Sequence, residues 1–183
     1  MTKAMLLVAF DNIGKVGFSR EFGTTTEGEG TKWLDHLEAF FTLVARLGGL
    51  PWPPLIVKST GVMGDVTELE KISVDIVEDR LMRDHPGMED LLKYFIKDFR
   101  SEKPKSYFNK FDLYVEAGVV LIAATETSAA TMAWIFYYLT KHPEVRRKLT
   151  EEIKPAFGQT IHGEFTDADL ARVEYLTAVH TCM

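Results

Sequence analysis

Two adjacent side chains, the carboxylic acid of Glu126 and the hydroxyl of Thr127, lie in the most apolar part of the chain and could do chemistry together. Between Ala117 and Thr140, Glu126 is the only charged residue. Apolar surroundings disfavour the charged form of a carboxyl group, which would make Glu126 a proton carrier near neutral pH. A threonine hydroxyl both donates and accepts, and Thr127 can also bond back to the carbonyl of Ala123, four residues earlier, which loosens a helical ladder slightly. Around the pair stand small or hydroxylated residues, Ala123, Ala124, Thr125, Ser128, Ala129 and Ala130, which let another group come close to the backbone. The residue types alone also fit a plainer arrangement. In it, Glu126 meets an arginine from another helix and Thr127 bonds only within its own, since structural ion pairs perturb carboxylates too.

One long helix must position the pair. From about Phe111 to Lys141 the chain is apolar on nearly every side, a pattern that suits a buried central helix or a bilayer span. A span would need its acid paired inside a bundle, and the middle of this stretch is rich in alanine and threonine rather than leucine, so a buried central helix is expected. Other segments also carry helical spacing. Thr31 precedes Leu34, Leu37, Phe41 and Val44, which share one face until Gly48 to Pro54 stops the helix. Asp65 to Glu68 has the reciprocal capping pattern of a helix start, followed by Leu69, Ile72 and Ile76 and ended by His85-Pro86-Gly87. Met88, Leu91, Leu92, Phe95 and Phe99 form a further face closed near Pro104, and Pro143 opens an amphipathic helix that Pro155 is expected to end. Period-two alternation is scarce, and the fold class expected is all-α.

Composition excludes several functions. The 183 residues are 46% hydrophobic, enough for a core, and the net charge of −6 argues against nucleic acid as the main partner. The basic stretch Lys97, Arg100, Lys103, Lys105 and Lys110 is interrupted by Asp98, Glu102 and Pro104, so it reads as a solvated connection. His36, His85, His142, His162 and His180 are scattered without the spacing that puts two imidazoles on one helix face, so no metal site is expected. Gly28-Glu29-Gly30 lacks a third glycine and a preceding strand, and there is no Gly-x-Ser-x-Gly elbow. A single cysteine, Cys182, allows no internal disulfide, and Met1 to Phe10 has no small-residue cleavage pattern of a signal peptide.

Read with its neighbours, Ala123-Ala124-Thr125-Glu126-Thr127-Ser128 resembles the central-helix motif of the cytochromes P450, in which a small residue and usually a glycine precede an acid and a hydroxylated pair. Trp134 to Leu139, Lys141 to Val145 and Leu149 to Ile153 resemble the family's continuation into its next helix. Asp169-Leu170 and Tyr175 to Val179 look like the approach to the one after. Upstream, Asp11 to Ser19 with Phe22-Gly23 is similar to an earlier helix of microsomal-type members. The matches follow in order over nearly the whole chain. They identify residues 1–183 as a single incomplete domain: a partial cytochrome P450 helical domain around a long central apolar helix.

The resemblance implies a heme cofactor, a small apolar organic substrate, an NADPH-dependent reductase as redox partner and an endoplasmic reticulum membrane setting for the intact family member. It gives Thr127 a hydrogen-bonding role toward dioxygen and Glu126 a role in proton delivery, with Ala123 and Ala124 letting the helix pass close over the heme. The family's usual glycine is Ala124 here, which narrows the groove. The segment Leu50 to Val57 resembles the region that shapes the substrate entrance and touches membrane. The heme needs a cysteine thiolate on its iron. Cys182 lies in His180-Thr181-Cys182-Met183 without the Phe and Gly residues of the ligand loop, and no Trp-x-x-x-Arg segment is present. Glu144 and Arg147 have the spacing of the family's Glu-x-x-Arg pair by coincidence and are expected to be an exposed ion pair. The expectation is therefore a fragment with no monooxygenase activity alone; the competing expectation is a non-catalytic helical interaction or membrane-associated module.

Overall fold

A computed structural model describes residues 2–27, 42, 63–83, 89–107, 109–157 and 172–182, and among them every regular element is helical, as expected. In chain order these are α1 (Thr2–Phe18), α2 (Thr24–Glu27), α3 (Met63–Met82), α4 (Leu91–Phe99), α5 (Lys110–Lys141), α6 (Pro143–Phe157) and α7 (Glu174–Cys182). The chain divides into two compact units, Met1–Ala129 and Ala130–Met183. Of the helix expected after Thr31, only Thr42 is described, and it is helical. Gly48 to Pro54, Leu50 to Val57, His85 to Met88 and Asp169-Leu170 lie outside the described residues.

The first unit has one apolar core. Leu7, Phe10, Ile13 and Phe18 come from α1, Ile76 and Val77 from α3, Leu92 and Ile96 from α4, and Leu113, Ala117 and Leu121 from α5. The three on α5 recur every fourth residue, which keeps them on one side of the helix. After α1 the chain folds back so that Phe22 stacks on Phe10 with ring centroids 4.3 Å apart. That reversal needs Ser19 in the left-handed region, φ 51°, with the Arg20 amide donating to the Gly14 carbonyl at 2.9 Å. A methyl on Gly14 would stand 2.4 Å from the Phe22 ring and 2.8 Å from the Arg20 carbonyl oxygen. Alanine normally favours a helix over glycine by about 1 kcal/mol. Gly14→Ala is nevertheless expected to destabilise by about 1–3 kcal/mol, the cost of overpacking, and a raised thermal midpoint would contradict this packing.

Polar groups hold the helix ends. Asp11, inside α1, accepts from the amides and hydroxyls of Thr24 and Thr25 at 2.6 to 3.0 Å and so caps α2. The α4 N-cap is Asp90, which accepts the Lys93 amide at 2.8 Å, and also takes the Arg80 Nε–H at 2.7 Å and the Ser19 hydroxyl at 2.7 Å. Both members of the Arg80–Asp90 pair are buried, with side chains 1% and 0% exposed.

Several boundaries and faces differ from the sequence expectation. The helix expected to start at Asp65 begins at Met63, and of its expected buried face Ile76 is buried, Ile72 is half-buried and Leu69 is outside the described side chains. On α4 Leu91 is exposed and Ile96 is buried in its place, because Leu92 and Ile96, four apart, define the inward side. The α4 helix also stops at Phe99, well before Pro104.

In the second unit Leu139 of α5, Leu149 of α6 and Val179 of α7 form a small core with Val145, Ile153, Tyr175 and Leu176 around it. The Glu152 carboxylate accepts the Tyr175 amide at the first turn of α7, at 3.1 Å. Pro155 does not end α6, which runs to Phe157. So close to a helix end, water can serve the carbonyl that a proline leaves without a donor. Glu144 and Arg147 are exposed as expected but are not paired. Glu144 lies 3.4 Å from His142, and Arg147 lies 3.9 Å from Glu151, one helical turn on.

Candidate functional site

The expected limits of the long helix, Phe111 and Lys141, agree with the observed α5 to within one residue. Its start is fixed by a reciprocal cap: the Asp112 amide donates to the Asn109 side chain at 3.1 Å, and the Asn109 amide to Asp112 at 3.0 Å. Glu78 of α3 then ties down the first turns, accepting from Lys110 at 2.9 Å and from the Tyr114 hydroxyl. Those two donors hold the Glu78 carboxyl below the usual carboxylate range. Further along, Gly118 lets α3 come close: a methyl there would lie 2.7 Å from the Ser73 hydroxyl oxygen.

Leu113, Ala117, Leu121, Thr125 and Ala129 are buried in succession, which makes one inward stripe. Ala123 and Thr127 each stand two residues beyond a member of that stripe, a rotation of roughly 200°, so they face the other way and are exposed. Ala124 and Glu126 are half-buried on the flanks. The Thr127 hydroxyl donates to the Ala123 carbonyl at 2.7 Å, the back-bond that the sequence predicts. The structure therefore brings Ala123 and Thr127 together on one open side of α5, with Glu126 half-buried at its edge.

The helix is not buried all round. It is long and apolar enough to cross a membrane by length and composition, and only 17% of its most apolar window is buried in this chain. The physical reason is the narrowness of the inward stripe, which leaves Phe111, Val115, Val119, Trp134, Phe136, Tyr137 and Tyr138 exposed.

One residue that the sequence reading passed over is Thr125. Its side chain is fully buried on the inward stripe, and its hydroxyl oxygen has no hydrogen-bond partner. The signal was available, since Thr125 continues the four-residue spacing of Leu113, Ala117 and Leu121. A buried polar group without a partner costs about 1–3 kcal/mol. Thr125→Val keeps the shape and removes the hydroxyl, so it is expected to raise the unfolding free energy by about 1 kcal/mol; a loss of similar size would show that the hydroxyl is satisfied.

The small, open side at Ala123 and Thr127 fits the approach of one face of a planar group such as heme. No group of three or more His, Cys, Asp or Glu able to hold a metal ion occurs among the described residues, and the side chain of Cys182 lies outside them.

A family model described as Cytochrome P450 matches residues 1–180. The cytochrome P450 monooxygenase FUM2 of Gibberella moniliformis is 27% identical over 183 residues, which covers 92% of this chain and 36% of the relative. Cytochrome P450 2C70 of Rattus norvegicus is 29% identical, covering 88% of this chain and 36% of the relative. A shorter match, 38% identical over 79 residues, links 43% of the chain to 15% of the cytochrome P450 monooxygenase oblB of Cochliobolus heterostrophus. Among solved structures, the heme domain of cytochrome P450DA matches 98% of this chain and 38% of its own with a TM-score of 0.76 at 17% identity, a likeness of fold. The chain spans about a third or less of the length of the curated relatives it matches. With the family model matched from residue 1 to residue 180 and the same helical fold in its structural neighbours, the chain belongs to the cytochrome P450 family.

Proposed function

We propose that these 183 residues are one incomplete domain of a heme-thiolate monooxygenase, the segment that covers one face of the heme, and that the segment has no monooxygenase activity alone. When bound, the heme with its thiolate supplies the activation of dioxygen and the insertion of one oxygen atom into an apolar organic substrate. The observation that carries the reading is the side-by-side exposure of Ala123 and Thr127 opposite the buried stripe of α5, with the Thr127 hydroxyl bonded to the Ala123 carbonyl. In this reading Ala123 and Ala124 give clearance, Thr127 offers a hydroxyl oxygen that accepts a hydrogen bond from water or another O–H group beside the dioxygen, and Glu126 holds or passes a proton. An NADPH-dependent reductase, an endoplasmic reticulum membrane setting and membrane contact at Leu50 to Val57 belong to the same proposal for the intact family member, on the strength of the microsomal-type motifs alone.

The segment's own sequence supports inactivity, because its single thiol, Cys182, lacks the flanking residues of a heme-ligand loop. Reconstituting the chain with hemin, reducing it and adding carbon monoxide is expected to give no thiolate-type difference band. A clear band would overturn the proposal. Roles for the acid and the alcohol are tested by the changes equivalent to Glu126→Gln and Thr127→Ala in a full-length relative, read as product formed per dioxygen consumed; loss of folding with unchanged coupling would favour a structural role. One observation supports a second reading, a non-catalytic interaction or membrane-associated module: the largely uncovered apolar flank of α5. Deep insertion of α5 into vesicles, seen as a large blue shift of Trp134 fluorescence, would favour it.

A further inference from the structure

We propose that the exposed face of α4, together with the loop that leads to α5, is a docking surface for an anionic lipid bilayer. Leu91, Tyr94 and Lys97 follow one another at intervals of three on the side of α4 away from the buried Leu92 and Ile96. Tyr94 is 63% exposed and Leu91 40%, so a phenol and an aliphatic chain stand in water beside a cation. The loop then adds Arg100, Lys103 and Lys105, all exposed.

By sequence these cations look diluted by acids, but Asp98 turns to the backbone. Its carboxylate accepts the amides of Lys105 at 3.1 Å, Ser106 at 2.9 Å and Tyr107 at 3.2 Å. Those peptide dipoles answer its charge, and they also hold the loop back over the last turn of α4, next to Lys97. The remaining acid in the loop is the exposed Glu102, so from Lys97 to Lys105 four cations stand against two acids, on a chain whose total charge is −6. Glu89 lies at the far end of α4 and is engaged by Lys93.

A set of exposed tyrosine, leucine and lysine side chains matches the headgroup zone of a bilayer, where phenols lie at the polar boundary and each lysine near an anionic surface contributes about 1 kcal/mol. The surface belongs to the first unit and is independent of the chemistry proposed for Glu126 and Thr127.

Co-sedimentation of the 183-residue chain with vesicles of phosphatidylcholine, with and without phosphatidylserine, tests the proposal. Binding is expected only with phosphatidylserine and is expected to weaken as salt is raised. Replacing Lys97, Lys103 and Lys105 together by glutamine is expected to weaken it on the order of 100-fold at unchanged helix content. Tyr94→Ala, tested separately, is expected to weaken it by a smaller factor. Equal binding to both vesicle types, or binding untouched by the triple change, would assign the interaction to the apolar flank of α5 and overturn the proposal. Retention on an acidic protein column without vesicle binding would overturn it in favour of a protein partner.

Discussion

Asp90→Ala is expected to lower the unfolding free energy of the first unit by about 3–5 kcal/mol, because it removes the carboxylate that answers the charge of the buried Arg80 guanidinium. The same carboxylate also caps α4 and receives the Ser19 hydroxyl, so three elements lose an anchor together. Asp90→Asn keeps a capping oxygen and is expected to cost less, which separates the lost charge from the lost cap. Burial alone would raise the Asp90 pKa. The hydrogen bonds from Arg80, Ser19 and the Lys93 amide, with the charge of Arg80, outweigh that and hold it below its ordinary value of 3.8. A depressed carboxyl stabilises fully above the unfolded pKa and loses its contribution as pH falls through the folded one, so the wild-type advantage over Asp90→Asn is expected to be full at neutral pH and to shrink in acid below about pH 4. Denaturant midpoints that do not change for Asp90→Ala would refute the account of the pair.

Phe10→Ala is expected to cost about 3–5 kcal/mol, the range for deleting a buried aromatic ring. Phe10 is 1% exposed, lies in the core with Ile76, Leu92 and Leu113, and carries the Phe22 ring that closes the reversal after α1. Without it, Phe22 has no stacking partner and its ring can give way to a Gly14 methyl, although the Arg20 carbonyl at 2.8 Å still opposes one. Gly14→Ala is therefore expected to cost less in a Phe10→Ala background than alone, a coupling that a double-mutant cycle measures. Additive effects would show that the two sites do not share the Phe22 ring.

The parts of this structure that follow from local rules were legible. The limits of α5, its alanine-rich centre and the Thr127 back-bond come from composition and from hydrogen-bond reach within one helix. Faces were less legible. On α4 a run of Leu91, Leu92, Phe95, Ile96 and Phe99 offers more apolar residues than one side can hold, and only packing decides that Leu91 turns to water. The burial of α5 was overestimated because an all-round apolar sequence says what a helix tolerates, not how much of it this chain can cover. Arg80 was invisible for a different reason. Its partner is ten residues away on another helix, and nothing in spacing marks an arginine for the core until Asp90 is placed beside it. Thr125 continues the spacing of Leu113, Ala117 and Leu121, so its burial follows once that stripe is seen to face inward, although its residue type alone suits water as well as a core.

The bond from Thr127 to the Ala123 carbonyl also sets the polarity of the open side of α5. With its hydrogen directed along the rod toward a peptide oxygen, the alcohol has only the accepting side of its oxygen left to offer an arriving group. A water or another O–H group is welcomed there as it arrives. A species offering only lone pairs of its own must first swing the side chain round, which forfeits a link of about 0.5–1.5 kcal/mol. That threshold sorts visitors by whether they carry a proton, before size or shape enters.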